Sequence, residues 1–482
     1  MARNGKDYLA GIASAREVWL NGERVSDVTQ HPHLRNAAEM MATLYDLQHE
    51  AAADCLVRNP DTGKPMNASH IIPRSREDLD RRHRAIKTAA QKTIGLIGRS
   101  PDYMNVILAG HAGRADVWRR HGNERGAENL IAFHKEVAAK DLALTHAVIN
   151  PTVDMSCDET AAVGGTMALH KVSDTEQGIV VRGARALATL APFSDELFIY
   201  PMKPIPATAN LHALAFSIPL GTPGLKLMCR DSFSISSNMY DHPLSLRLDE
   251  QDAFVLFDNV EIPKHRLFLD GNAPLANEIT QCGGTANAMQ QVIIRAIAKL
   301  EFAYDIAIRM VEVINGGSPA NSELLGEISS YLELTRAGLR AAEADAHEYG
   351  NGTWFCNDAP FRALRPSLPK WFPRVFEILK LIGSHNLLTT PTLRELGNPV
   401  LRPLLDEFYQ GARGVSAADR IQLFRVAWDF VGTALAGRND LYERFYLASA
   451  KTGYMICHAM SAPGRDRSIL DRVLAEGKRC VE

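Results

Sequence analysis

Four segments of the 482-residue chain hold side chains whose types and spacing permit chemistry. The first is Gly98-Arg99-Ser100-Pro101-Asp102-Tyr103. Ser-Pro-Asp reads as a helix start, because proline at the first helical position gives up no hydrogen bond and already has a helical φ. Arg99 and Tyr103 stand four apart, so a helical segment sets a guanidinium beside a phenol. That pair can stabilise an anion and orient a hydroxyl; the same spacing also suits a surface arginine beside a packed tyrosine. The second segment is Leu144 to Asp154, with His146, Asn150-Pro151, Thr152 and Asp154. Asn-Pro marks a turn, since a residue before proline avoids the helical region. His146 can serve as a base or a partner for a substrate hydroxyl near neutral pH, or as a satisfied structural histidine. The third, Gly183 to Pro192, ends in Thr189-Leu-Ala-Pro. Its small residues admit a flat ligand close to the backbone, and equally fit a packed strand and turn. In the fourth, Tyr442 to Thr452, the side chains of Ser449, Lys451 and Thr452 can hold a phosphate at a helix start or merely join two helices.

The elements that must position these segments fall into three textures. Residues 1–145 read as helical: Met40 to His49 and Leu130 to His146 carry apolar residues at spacings of three and four. Residues 146–271 read as β structure, with short runs at Ile179 to Arg185, Leu214 to Ile218, Leu225 to Arg230 and Asp252 to Phe257, bounded by Gly, Pro and Asp. Several short strands between turn signals point to a sandwich or barrel. The Pro-rich stretch from Pro201 to Pro223 is a candidate lid. Residues 272–482 return to helix. Gln290 to Asn315 is long and apolar. Ser416-Ala-Ala-Asp419 resembles a capping box, followed by a stripe of Ile421, Phe424, Trp428, Val431 and Leu435 with a stop at Gly437.

Composition narrows the classes further. Apolar residues make up 46% and charged residues 23%, as in a soluble globular protein. With 53 basic and 56 acidic side chains the net charge is -3, so a polyanion partner such as nucleic acid is not expected. The seven cysteines, from Cys55 to Cys480, are scattered and odd in number, which argues against a disulfide framework and for a reducing cytosol. The N-terminus lacks the apolar stretch of a signal peptide, and no apolar run is long enough to span a bilayer. The chain reads as cytoplasmic. There is no G-x-G-x-x-G after a strand, no P-loop, no H-E-x-x-H and no nucleophile elbow. Metal chemistry has no local support.

Together the segments resemble the 4-hydroxyphenylacetate 3-hydroxylase family, the oxygenase components of two-component, reduced-flavin-dependent phenol monooxygenases. The resemblance runs over nearly the whole chain. It rests on Arg16 to Val25, Leu44 to His49, Gly98 to Tyr103, Asn150-Pro151, Ala186 to Pro192, Phe257 to Pro263, Ala298 to Phe302 and Asp440 to Tyr446. It implies an acyl-CoA-dehydrogenase-like α+β fold: an N-terminal helical domain (1–145), a central β-barrel (146–271) and a C-terminal helical bundle (272–482) that builds a homotetramer. It also implies FAD taken up as FADH2 from a separate NADH-dependent reductase, with O2 as co-substrate, and hydroxylation of a para-substituted phenol ortho to its hydroxyl through a flavin C4a-hydroperoxide. By resemblance Arg99, Tyr103 and His146 face the phenol hydroxyl. Asn150, Thr152, Asp154 and Thr189 line the flavin ring, and Ser449, Lys451 and Thr452 touch its pyrophosphate. The chain departs at that last point: many members have Phe-Gly-Asp-Pro-Val-Arg where this one has Leu447-Ala-Ser-Ala-Lys-Thr452. Relatives that expel a halide or nitro group, or act on larger tyrosine-like substrates, share the ring-handling residues. More remote alternatives are an acyl-CoA dehydrogenase and 4-hydroxybutyryl-CoA dehydratase; the cysteine and histidine cluster that the dehydratase needs is missing here.

Overall fold

One helix organises the helical parts. Gly284–Val313 is buried along most of its length, polar side chains such as Gln290, Gln291, Arg295 and Lys299 included, as expected for a helix at the centre of a bundle. It packs against Pro319–Ala344 and Asp358–Gly383 and also against Arg76–Lys92 and Pro101–Gly113. The N-terminal helices and the C-terminal bundle therefore pack on the same helix. In this computed structural model residues 2–234, 238–461 and 466–479 are described; Cys480 lies outside them.

The β part consists of two sheets. In the larger, six strands run in the order Glu23–Val25, Val18–Leu20, Leu225–Cys229, Asp252–Pro263, Gly178–Thr189 and His170–Asp174. In the smaller, the order is Leu267–Asp270, Leu214–Pro219, Glu196–Ile199 and Leu144–His146. The long antiparallel pair Gly178–Thr189 and Asp252–Pro263 slips register twice, at Ala253/Val255 and Phe257/Val260. Such bulges bend and twist a strand, which lets one sheet curl toward the other. The sheets touch through an isolated bridge between Ala147 and Ala188. Among the described residues they do not close into the barrel expected from the resemblance: each keeps two edge strands. The order helical, β, helical is present. The first of these parts also lends Val18–Leu20 to the larger sheet, where it pairs parallel with Leu225–Cys229.

Two local expectations change. The helical reading of Leu130 to His146 stops early. The helix is Glu124–Lys140, and Asp141 turns left-handed at φ 53°. The Asp141 carboxylate is held there by His70, Gln48 and the Arg3 N–H, and Leu144–His146 leaves as a strand. The helix after Ser416 begins as expected, with the Ser416 Oγ accepting the Asp419 N–H at 3.1 Å. It ends at Val431 with Gly432 as its C-cap, and Leu435 belongs to the next helix, Ala434–Phe445. Among the described residues no helix is long and apolar enough to cross a membrane.

Candidate active site

Pro101 starts the helix Pro101–Gly113 with Ser100 as its N-cap. Arg99 therefore precedes the helix instead of lying on its face. It reaches Tyr103 by folding back, with its guanidinium carbon 4.1 Å from the Tyr103 ring centre. Its backbone N–H donates to Glu250 Oε1 at 2.5 Å, and its Nε donates to His146 Nε2 at 3.1 Å. An arginine has no acceptor. His146 Nε2 must therefore be the unprotonated nitrogen, and in the neutral ring Nδ1 carries the proton toward the Tyr200 hydroxyl, 2.7 Å away. Burial, followed by the Arg99 charge, pushes the His146 pKa well below its ordinary value, so the ring is neutral at pH 7. Burial holds the Tyr200 phenol well above its ordinary value, so it stays protonated. Tyr103 meets His146 edge-on at 5.6 Å.

The floor of this group comes from the far end of the chain. Tyr442 and Tyr446 stack at 4.6 Å, one turn apart on Ala434–Phe445 and its C-cap. The Arg99 guanidinium sits 4.6 Å from the Tyr446 ring and donates to the Tyr442 hydroxyl at 3.2 Å. Gly98 makes this approach possible: a Cβ there would lie 2.0 Å from the Tyr442 oxygen. Below the tyrosines lies a bed of buried ion pairs. Glu443 binds Arg295 at 2.8 Å and Lys299 at 2.5 Å. Burial alone would raise the Glu443 carboxyl; the two cations hold it at about 2. Arg438 joins Glu250 at 2.6 Å to Asp252 at 2.7 Å. Burial also opposes the Arg99 charge, but the surrounding phenols and Glu250 outweigh it.

Above this floor opens a cavity of about 150 Å³, walled by Arg99, Tyr103, His111, Tyr200, Met289 and Tyr446 among others. A cavity of that size holds one aromatic ring. No Asp or Glu lines it. Burial lowers the pKa of His111 to about 4.

The remaining sequence candidates divide. Thr189 lies against the group from behind: its hydroxyl donates to Asp252 at 2.8 Å and its carbonyl accepts from Thr145 at 2.7 Å. Asn150 is buried and takes a hydrogen bond from Arg185, while donating to Glu159 at 3.1 Å. Thr152 and Asp154 are exposed, and the Asp154 carboxylate accepts from the Ser156 N–H and hydroxyl in a local turn. Ile149, Val153, Met167 and Leu187 form an exposed apolar surface beside them, with Ala186 N–H bonded to the Ile149 carbonyl at 2.8 Å. Ser449, Lys451 and Thr452 stand around the start of Ala450–Ser461. Ser449 Oγ accepts the Thr452 N–H at 3.3 Å, and Lys451 and Thr452 are exposed. Ala448, where the resemblance has glycine, adopts φ 70°.

Sequence reasoning missed Tyr200, Glu250 and His111 as members of the group, and nothing local in their surroundings marks them. Tyr442 and Tyr446 were recoverable from their spacing of four.

The comparisons with known proteins agree over the full length. A family model described as 4-hydroxyphenylacetate 3-hydroxylase N terminal matches residues 4–269, and its C-terminal counterpart matches residues 277–462. The chain is 37% identical over 449 residues to the 4-hydroxyphenylacetate 3-monooxygenase oxygenase component of Thermus thermophilus, covering 92% of each chain. It is 31% identical over 480 residues to the 4-nitrophenol 2-monooxygenase oxygenase component of a Rhodococcus species, covering 96% of this chain and 90% of that one. A crystal structure of a 4-hydroxyphenylacetate 3-monooxygenase oxygenase component, complexed with FAD and 4-hydroxyphenylacetate, superposes with a TM-score of 0.93 at 34% identity, covering 100% and 99% of the two chains. The helical and β architecture, the arginine, tyrosine and histidine group and these full-length matches have one reading: the chain belongs to the 4-hydroxyphenylacetate 3-hydroxylase family.

Proposed function

We propose that the protein is the oxygenase of a two-component phenol hydroxylase. It takes reduced FAD from a separate NADH-dependent reductase, and with O2 it hydroxylates a para-substituted phenol ortho to its hydroxyl. The observation that carries this reading is the Arg99 Nε to His146 Nε2 contact at 3.1 Å, beside Tyr103 at the wall of a ring-sized cavity. A fixed cation and a neutral acceptor nitrogen in contact match the two needs of a phenol hydroxyl. When Arg99 turns its N–H from His146 Nε2 to the phenol oxygen, His146 Nε2 would be left to accept the hydrogen bond of the phenol hydroxyl, and the Arg99 N–H and Tyr103 hydroxyl would stabilise the negative charge that builds on that oxygen. Ionising the phenol raises electron density at its ortho carbons. Each such donor contributes about 10²–10³ in rate.

The residues present suit a flavin. The apolar side chains of Ile149, Val153, Met167 and Leu187 are left facing water, and the small, half-buried Ala186 beside Leu187 lets a flat ring approach the strand. We assign Asn150, Thr152, Asp154 and Thr189 to its surroundings. Ser449, Lys451 and Thr452, at the positive end of Ala450–Ser461, would hold its phosphates. When bound, the flavin supplies the activated oxygen. Pro201 and Met202 line the phenol cavity and belong to a loop tied to the Asn277 side chain at 2.9 and 3.0 Å; this loop would exclude water, which otherwise diverts oxygen to peroxide. We further propose a homotetramer. Met455, Met460, Ile469, Leu470, Val473 and Leu474 leave an apolar face exposed, more than an isolated soluble subunit usually shows. The described cysteines are all free, which supports a cytoplasmic location.

The test mixes the protein with chemically reduced FAD, O2 and a panel of para-substituted phenols, reading products by mass. The expected product carries one added oxygen as a catechol. Oxidation of the flavin to peroxide alone, with every phenol unchanged, would overturn the reading.

A further inference from the structure

Arg365 stands on the helix Asp358–Gly383, half-buried, and lines the same cavity as Arg99, Tyr103 and Tyr446. Its Nε donates to the Leu447 carbonyl at 2.8 Å, which anchors the guanidinium at the Tyr446–Leu447 wall. Other arginines around the site are matched by anions. Arg295 has Glu443, and Arg438 has Glu250 and Asp252. Burial is what acts on the Arg365 charge, and among the described residues no carboxylate opposes it. A partly desolvated cation without a counterion is costly unless an anion comes to it. Gly284 and Thr285, the first residues of Gly284–Val313, share this wall, so the positive end of a long helix adds to the potential there. A Cβ at Gly284 would meet no atom within 4 Å, so this side of the wall has room.

We infer that Arg365 is a specificity-determining residue that binds the carboxylate on the para side chain of an anionic phenol, while Arg99, Tyr103 and His146 take the hydroxyl at the opposite end of the ring. This rests on the proposed reading of the cavity as the phenol site and adds to it which phenols are preferred. The guanidinium's forked donors suit a carboxylate in two-point contact. They also explain why the arginine lies on a wall otherwise made of apolar and neutral groups: a ring is held by the wall, and its two polar ends by two separate cations.

The experiment compares the full-length protein with the R365M and R365K variants on 4-hydroxyphenylacetate and on uncharged 4-methylphenol, using reduced FAD and O2. R365M should raise KM for 4-hydroxyphenylacetate by about ten- to hundredfold, the range of a charge-assisted pair, with kcat held and the KM for 4-methylphenol nearly unchanged. R365K should recover part of the loss. An equal rise for both phenols, or no rise for either, would overturn the assignment. So would weaker binding of reduced FAD with unchanged phenol KM, which would put Arg365 on the flavin's phosphates. Failure of the unaltered protein to hydroxylate either phenol would count against the proposed reaction itself and is read independently of the variants.

Discussion

The Arg99 cavity and the Leu447 to Thr452 rim lie next to each other in the chain's fold but are built on opposite terms. Arg99 is held by neighbours from distant elements: Glu250 on its backbone, His146 on its side chain, Tyr442 and Tyr446 beneath it. Under those tyrosines lie closed ion pairs. At the rim Lys451 and Thr452 face solvent, and Ser449 and Thr452 bond mainly to each other. The difference fits the roles proposed for the two regions. Positioning a phenol against a reacting atom needs donors already fixed before the reaction, because reorganisation at that moment raises the barrier. Holding the phosphates of a molecule that comes and goes needs charge and exposed N–H groups, with little rigidity.

The comparison can be broken at its strongest point first. Glu443→Ala leaves Arg295 and Lys299 buried without their carboxylate, which should cost about 3–5 kcal/mol of stability. A urea midpoint unchanged from the parent would show that the bed does not support the cavity. Next, Arg99→Ala or His146→Ala should lower catechol formation by about 10²–10³ while flavin oxidation continues. The ratio of catechol formed to flavin oxidised checks it, and unchanged yield in both variants would remove these residues from the mechanism.

Acid should act on the cavity side before the rim. Burial holds His111, on the cavity wall, and His134, on the helix Glu124–Lys140 away from that wall, at about 4, below the 6.5 of an unfolded chain. The unfolded chain therefore takes up protons first, so this contribution is full above about pH 6.5 and is lost as pH falls toward 4. Going from pH 6.5 to 5.5 should cost about 1 kcal/mol for each ring. Urea midpoints across that range test it, and flat stability would contradict neutral, buried rings. The smallest effects belong to the rim. Ala448→Gly should stabilise by about 1 kcal/mol, because φ 70° strains an L side chain and not glycine. Lys451→Ala should weaken binding of reduced FAD by roughly two- to fivefold, as for an exposed cation at a helix start. A loss there as large as that at Arg99 would erase the contrast between the two regions.

Much of the site was visible in short segments, and the reasons differ from residue to residue. Ser100-Pro101 announced its helix through local chemistry, and the Ser416 cap did the same. His146 was identified but set on the wrong element. The apolar spacing runs on past Lys140, whereas the left-handed Asp141, fixed by His70, Gln48 and Arg3, redirects the chain into a strand. Spacing also could not show that the two sheets stay open, because closure depends on edge strands finding each other and not on any strand's own pattern.

By itself the sequence determined the order helical, β, helical, the residue types that can bind a phenolate, and the family. Those properties are local or cumulative: caps, periodicity and motifs retained in order along the chain. Only the tertiary structure decided that Tyr200, Glu250, Tyr442 and Tyr446 surround Arg99, and that Arg365 faces the same cavity with no carboxylate among the described residues paired to it. Glu250, for example, lies 151 positions from the backbone it accepts from, and no short pattern encodes such a contact. Packing of the helix bundle against the sheets brings these groups within reach, and burial there gives the contacts their strength by excluding the water that would otherwise screen them.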